Sequence, residues 1–288
     1  VFQDTDTLAE TLHLEPMQIE ARLASARRKL NTARLLRVAP GRDEKILTAW
    51  NGLMIKGMAH AGRLLGQEDC IASAARAVDF VRTQLWRDGR LLATHKDGKS
   101  HLNAYLDDYA FLMDGVLELL QARWRDGDMR FLVALTDALL THYEDRDQGG
   151  FYFTADDHEK LIHRPKPAGD EAIPAGNGVA AQVLLRLGHL LGDSRYLDAA
   201  ERTLKALYRD MARFPSGHNA LLHALEEYHT PAQTLVLRGT PAAMQPWLAR
   251  CQQGYAPRRV VLAIPDNATY LPGVLAQRVA KDKVSAYV

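Results

Sequence analysis

The sequence repeats one helical unit with a period of about 60 residues. Each unit joins a helix that is apolar nearly all round to an amphipathic helix, as in 106–122 followed by 129–143. The joints are alike as well, since Leu64-Leu65-Gly66 and Leu190-Leu191-Gly192 each end an apolar helix. An apolar helix has to be buried, and an amphipathic helix can cover it. The repeat therefore predicts helical hairpins that pack side by side.

The hydrophobic periodicity also predicts where the helices begin and end. A first amphipathic helix is expected at 15–36, with an apolar stripe formed by Ile19, Leu23, Ala26 and Leu30. The inner, apolar helices are predicted at 46–66, 106–122 and 179–191, with a weaker one that begins near His218. Their outer, amphipathic partners are predicted at 69–86, 129–143 and 196–211.

Short β-hairpins are predicted between the helical units. One runs through 89–95 and turns at Lys96-Asp97-Gly98, and a second runs from 150–154 through Asp156-Asp157 to 161–164. Near the end, strands at 234–237 and 259–264 flank a helix at 241–251. We therefore expect two domains, a helical-hairpin domain at 1–230 and a small βαβ-like appendage packed on it at 231–288.

Inner apolar helices inside an outer amphipathic ring are typical of an all-α (α/α) toroid. An open solenoid of helical repeats would show the same periodicity. The β-hairpins between units favour the toroid, because similar inserts surround the mouth of such barrels. The toroid is therefore the predicted fold class, and the solenoid is the alternative.

The composition excludes several classes of function. Lys and Arg number 36 against 35 Asp and Glu, a net charge of +1 that argues against a nucleic-acid or membrane partner. No apolar stretch approaches the roughly 20 residues that span a bilayer. Two cysteines and no paired histidine motif argue against disulfides and a metal site, and a reducing cytoplasm is the expected compartment. No phosphate-loop, dinucleotide or serine-hydrolase motif occurs, and no cofactor is expected.

Polar residues concentrate where the inner helices begin, and in a closed toroid these positions surround one cavity. Of the adjacent pair Asp107 and Asp108, which diverge by about 100° on a helix, we expect Asp107 to cap the helix and Asp108 to face the cavity. The candidate catalytic residues are Asp108, Asp43, Asp170, Glu171 and His218. The candidate substrate-binding residues are Trp50, Asn51, Tyr109, Arg164, Lys166 and Asn177.

Each candidate also has a structural interpretation. Asp or Asn before a helix is an ordinary N-cap, which fits Asp43, Asp107 and Asn177. Buried aromatic residues such as Trp50 and Tyr109 are more often part of a core than of a binding groove. Charged residues on a long loop are often merely solvated.

Five motifs in the same order resemble one protein family. They are Asp43–Leu53 with its Trp50-Asn51-Gly52 centre, Leu106-Asp107-Asp108-Tyr109-Ala110, Gly149-Gly150-Phe151, Arg164-Pro165-Lys166 and Ile173-Pro174-Ala175-Gly176-Asn177. Together they resemble the thioredoxin-domain family typified by spermatogenesis-associated protein 20. The resemblance runs from about Arg27 to the end of the chain.

The resemblance implies a six-hairpin glycosidase-like toroid, related in shape to N-acylglucosamine 2-epimerases, that follows a thioredoxin-like domain. The chain lacks a CxxC-like motif, the family's earlier toroid hairpins and its C-terminal cysteine motif. It therefore resembles the second half of a toroid and is expected to be a fragment. Exposed inner helices would need the missing N-terminal half, or another chain, as a partner.

Two hypotheses for the function follow. The first is a carbohydrate-active protein with a sugar ligand, either a glycoside hydrolase that uses two carboxyl groups or a sugar epimerase that uses two facing acid–base groups. Asp108 with Asp43, Asp170 or Glu171 would supply the carboxyls, and His218 would serve the epimerase. The alternative is a non-catalytic ligand- or protein-docking module beside a thioredoxin-like domain.

Overall fold

The computed structural model describes residues 3–159, 161–251, 253–254 and 256–288. The chain forms two compact units, Val1–Glu44 and Lys45–Val288. The division between these two units does not coincide with the boundary predicted between 230 and 231. The predicted organisation into a helical-hairpin domain and an appendage stays a prediction.

The first unit contains helix α1 (Thr5–Leu12) and helix α2 (Pro16–Leu35). Proline at the first position of α2 and a capping box between Glu15 and Gln18 fix where this helix begins. The helix predicted at 15–36 therefore exists, but the expectation of a buried stripe is wrong. Ile19 alone of the four stripe residues is buried, and the side chain of Leu30 is 71% exposed.

The second unit alternates inner and outer helices. The inner helices are α3 (Thr48–Leu65), α5 (Leu106–Ala122), α7 (Gly176–Leu191) and α9 (Asn219–His229). The outer helices are α4 (Glu68–Phe80), which continues into a π-helical turn at Val81–Leu85, α6 (Asp126–His142) and α8 (Ser194–Arg213). Each inner helix packs against the next, in the order α3, α5, α7, α9.

Two glycines explain why the joints between inner and outer helices look alike in the sequence. Gly66 and Gly192 end α3 and α7 with φ of 66° and 68°, the left-handed conformation that glycine adopts without strain. Buried residues cover almost the whole surface of α5, while α8 buries one face only. The predicted difference between inner and outer helices is confirmed.

Four short strands lie just before α3 and between α4 and α5. Strand β3 (Arg90–Lys96) pairs antiparallel with β1 (Ile46–Leu47), β2 (Trp86–Arg87) and β4 (Lys99–Asn103). The β3–β4 hairpin turns at Asp97 and Gly98, both with positive φ, as predicted.

The second predicted hairpin, from 150–154 to 161–164, is wrong. Among the described residues the two predicted arms form no strand pair. Phe151 instead forms a bridge with Glu144, and Phe153 N donates to Pro165 O at 2.8 Å. The Asn177 side chain bonds both the N–H and the C=O of Phe151, which are the groups that a partner strand would need.

The C-terminal region forms the expected βαβ unit. Strands β5 (Gln233–Gly239) and β6 (Arg259–Pro265) are parallel and are connected through helix α10 (Pro241–Cys251). Strand β7 (Val284–Tyr287), which the sequence did not indicate, adds antiparallel to β5 and completes the order β6-β5-β7. Val261 N–H donates to Gln121 of α5, which links this sheet to the inner helices.

Among the described residues, no helix has both the length and the hydropathy that a transmembrane helix needs.

Candidate functional site

The inner helices begin at a set of aspartates that bind backbone N–H groups. Asp108 lies in the first turn of α5, and its Oδ2 accepts a hydrogen bond of 2.8 Å from Tyr105 N. Its Oδ1 accepts a second bond of 2.8 Å from Ala49 N in the first turn of α3. One carboxyl group therefore satisfies the unpaired N–H groups of two neighbouring helices.

Asp170 repeats this arrangement at the next pair of helices. Its Oδ1 accepts from Ala175 N at the start of α7, at 2.9 Å, and its Oδ2 accepts from Ala220 N in the first turn of α9, at 3.0 Å. Asp108 lies on α5 and bonds back to α3, whereas Asp170 lies in the loop before α7 and bonds forward to α9. Both hold the N-terminal ends of inner helices together.

Asp107 is placed differently. Its Oδ1 is buried, and among the described residues no donor meets it with normal hydrogen-bond geometry, although the Gly176 N–H is near enough to favour the carboxylate. The lack of a side chain on Gly176, the first residue of α7, leaves the space that this oxygen occupies. Burial raises the pKa of Asp107 to about 6 against the opposing effect of the Gly176 N–H, and the charge of nearby Glu171 adds to the rise.

The structure thus reverses the roles expected for the adjacent pair. Asp108 caps helices and is buried, and burial raises its pKa to about 7 in spite of the two N–H groups that it binds. Asp107 carries the unbonded oxygen and has an exposed acid, Glu171, beside it. Which of two adjacent aspartates faces which helix depends on the packing of α3 and α7, and the local sequence does not contain that information.

The other predicted catalytic residues are spread more widely. Asp43 belongs to the first compact unit, so the structure does not add it to this site. His218 is buried just before α9, and its Nδ1 lies 2.8 Å from the carbonyl oxygen of Phe214. This contact requires the proton on Nδ1 and leaves Nε2 as the ring nitrogen that could take part in chemistry.

Two of the predicted substrate-binding residues are parts of the packing. Tyr109 is fully buried and its hydroxyl accepts from Leu91 N at 3.0 Å. Asn177 is also fully buried, and its amide is committed to Phe151 and to the carbonyl oxygen of Pro167.

Trp50 and Asn51 lie in the first turn of α3. The Asn51 amide donates to Leu47 O at 2.8 Å, whereas the Trp50 side chain is 64% exposed.

Arg164 and Lys166 form a cluster with two residues that sequence reasoning missed, Tyr152 and Asp145. Both cations lie over the Tyr152 ring, at 4.2 and 4.9 Å from its centre. Lys166 Nζ lies 2.6 Å from Asp145 Oδ2, which also accepts from the Tyr152 hydroxyl at 2.7 Å. Lys166 and then Tyr152 hold the pKa of Asp145 well below its usual range. The sequence signal for this cluster was Gly149-Gly150. Without side chains there, the loop that carries Lys166 can approach residues 149–150 closely.

One group of side chains has the composition of a metal site. His142, Asp156 and Asp157 offer ligand atoms within 4.8 Å of one another. Each already has a partner, since His142 Nδ1 lies 2.9 Å from Asp156 and Arg90 binds Asp157. Both aspartates are exposed, and these pairs account for the cluster without a cation.

Comparison with known proteins gives a direct test of the resemblance. Spermatogenesis-associated protein 20 of Homo sapiens is 31% identical to this chain over 294 residues, a match that covers 96% of the chain. The predicted resemblance is confirmed. The chain spans 37% of the length of that relative. An uncharacterized protein of Caenorhabditis elegans, B0495.5, is 24% identical over 82% of the chain and 34% of its own length. No protein-family model matches the chain.

A solved structure of a GH76 alpha-mannanase from Bacteroides thetaiotaomicron is similar in fold. The TM-score is 0.51 at 11% sequence identity, over 80% of this chain and 65% of the mannanase chain. The fold is therefore the helical, six-hairpin glycosidase-like fold that the sequence predicted.

Proposed function

We propose that the N-terminal ends of the inner helices form a site for acid–base chemistry on a carbohydrate. The observation that carries the proposal is the Asp107 carboxyl, with its unbonded Oδ1, its pKa of about 6 and its neighbour Glu171. A carboxyl group with a pKa near the working pH can both give and take a proton. The mannanase shares only the fold, so it supports the carbohydrate class without assigning a reaction.

In this proposal Asp107 is the proton donor and Glu171 is the second carboxyl. Glycoside hydrolysis needs an acid that protonates the leaving oxygen and a carboxylate that activates water or attacks the sugar. Asp107 is half-buried, which favours its protonated form, and Glu171 is exposed, where it can meet substrate and water. Asp108 and Asp170 position these groups, because each is the sequence neighbour of one of them and is held by backbone N–H groups at the helix starts.

We expect Asp107→Asn and Glu171→Gln each to lower turnover of a sugar substrate by about 10²–10³-fold, because each removes a group that transfers a proton. Because Asp107 must be protonated to act as an acid, activity should fall as the pH rises above about 6. The measurement is release of 4-nitrophenol from a panel of α- and β-glycosides, with mannosides included, between pH 4 and 8.

Asp97→Asn is the matched control. It changes an exposed aspartate in the β3–β4 turn, where asparagine tolerates the positive φ of 50°. Activity that is equal in Asp107→Asn, in the control and in the unmodified chain would contradict the assigned roles. An alkaline limb that persists in Asp107→Asn would also contradict them.

An apolar face on α3 favours a second function, the docking module. Trp50, Met54, Leu64 and Leu65 are between 51% and 71% exposed on this inner helix. Positions 50, 54, 57, 61 and 64 follow the heptad spacing of a helix–helix contact. We propose that this face packs against a further helical hairpin, in the same polypeptide or in another chain, as the toroid continues.

The double substitution Trp50→Glu/Met54→Glu should abolish any self-association of the chain, because two charges replace the apolar face. Sedimentation velocity at increasing concentration measures this. Tyr208→Glu is the control, since Tyr208 is a similarly exposed aromatic residue on the outer helix α8. Equal loss of association in the control would count against docking through α3, and a chain that stays monomeric at all concentrations would exclude a second copy as the docked partner.

A further inference from the structure

A polar cavity lies away from the helix starts described above. It has a volume of about 680 Å³ and opens between the later turns of all four inner helices and the residues that lead into β6. That volume is within the range of about 300–1,000 Å³ that is usual for small-molecule sites. The inner helices contribute polar residues at helical spacing: Lys56, His60 and Arg63 on α3, Glu118 and Gln121 on α5, Gln182 and Arg186 on α7, and His223, Glu226 and Glu227 on α9.

Two of the carboxylates in this cavity are buried and are hydrogen-bonded to neighbouring side chains. Glu118 accepts from Arg63 Nη2 at 2.7 Å and from Gln121 Nε2 at 2.9 Å, and His60 Nδ1 lies 2.9 Å from it. Burial by itself would raise the pKa of Glu118, but Arg63 and His60 lower it overall.

Glu227 has the same environment on the other side of the cavity. It accepts from Arg186 Nε at 2.9 Å and from Gln182 Nε2 at 2.7 Å. Side-chain exposure is 8% for Glu118 and 4% for Glu227, so neither presents its charge to the cavity.

The accessible charge in the cavity is positive. Among the described lining residues, five have a permanent positive charge and three are carboxylates. The Lys56 side chain is 42% exposed even though its Nζ binds Asp114, and that of Arg258 is 40% exposed, 3.4 Å from the exposed Glu226.

Arg259 is the cavity cation whose hydrogen-bond acceptors among the described residues are neutral. Its Nε donates to Gln233 Oε1 at 3.1 Å, and its Nη1 donates to the carbonyl oxygen of Cys251 at 3.1 Å. Neither acceptor cancels the guanidinium charge. Such a guanidinium is well suited to bind the oxygens of a phosphate or a carboxylate.

We propose that this cavity binds a small organic anion of about the size of a monosaccharide, held by Arg258 and Arg259 and by the neighbouring Lys56, His60 and His223. The shared chemistry of the ligand is a cluster of anionic oxygens, supplied by a phosphate or by a carboxylate. The site is independent of the carboxyl pair at Asp107 and Glu171, so either can fail without the other.

Isothermal titration calorimetry with three probes on one ring tests the proposal. Glucose 6-phosphate carries a phosphate, glucuronate carries a carboxylate, and glucose is neutral. We expect one or both anions to bind with a Kd below 1 mM at low salt, more weakly as KCl is added, and glucose not to bind. Binding of glucose 6-phosphate alone would identify the ligand group as a phosphate, and binding of glucuronate alone would identify it as a carboxylate.

Arg259→Gln should weaken anion binding about tenfold or more, because it removes the guanidinium and leaves no buried acid unpaired. Arg258→Gln is the second variant, at a side chain that is 40% exposed and pairs with the exposed Glu226. Arg250→Gln, an exposed cation on α10 outside the cavity lining, should bind as the unmodified chain does.

Asp107→Asn separates this cavity from the proposed sugar site and should leave anion binding unchanged. Three results would overturn the proposal: no binding of either anion, equal binding of glucose, or anion binding that both arginine variants retain in full.

Discussion

Gly52→Ala should destabilise the protein by about 2 kcal/mol, through overpacking between two helices that are in backbone contact. Gly52 of α3 faces α5, where an added Cβ would lie 2.6 Å from Leu112 N and from Phe111 C. Both are backbone atoms, so no side-chain rotation can relieve the overlap. Gly115 of α5 meets α3 in the same way, with its added Cβ 2.6 Å from Gly52 O. The glycine in the Trp50-Asn51-Gly52 motif therefore sets the distance between the first two inner helices.

The same helix supplies the control. Gly57 is exposed on α3, and an added Cβ there would meet nothing within 4 Å. Gly57→Ala should stabilise the protein by about 0.5–1 kcal/mol, because alanine is the better helix former. Urea denaturation should therefore separate the two variants by about 3 kcal/mol. If both alanine variants were more stable than the unmodified chain, α3 and α5 would not approach as closely as described.

The helices were the most predictable part of the fold. Helix 106–122 was predicted at both ends, because its apolar residues run without interruption between polar segments. Gly66 and Gly192 identified two other ends, because the left-handed C-cap is a local requirement that glycine meets. Periodicity and caps are local properties, and a sequence shows them directly.

The second β-hairpin and the roles of the aspartates depend on contacts between distant residues. Phe151 does not pair with a returning strand, because Asn177, which is 26 positions later, takes its backbone groups. Asp108 caps α3 through Ala49, which is 59 positions earlier. The sequence pointed to the helix starts, where the site stays a proposal, but it exchanged the environments of Asp107 and Asp108. The cavity near Arg259 was missed for a similar reason, since its residues come from five helices, one strand and the loop before that strand.

Asp108→Ala should be the most destabilising change at the helix starts, at about 2–4 kcal/mol. The variant leaves the N–H groups of Ala49 and Tyr105 without their acceptor in a buried setting, and each loss of this kind costs roughly 1–2 kcal/mol. For a domain of this size the melting temperature should fall by about 2–4 °C for each kcal/mol. Asp170→Ala loses two equivalent bonds at a less buried position and should cost less. Asp97→Asn should have no effect.

The pH dependence distinguishes this buried cap from an exposed one. Asp108 has a pKa of about 7 when folded, above its ordinary value of 3.8, so the folded state holds the proton more tightly than the unfolded chain does. Its contribution to stability is therefore fully present below about pH 4 and is lost as the pH rises through 7. Asp108→Ala removes this contribution, so the difference in unfolding free energy between the unmodified chain and the variant should be larger at pH 5 than at pH 8. Urea titrations at the two pH values measure it. A difference that is larger at pH 8 would mean that Asp108 is stabilised as the carboxylate, and that the two N–H bonds outweigh its burial.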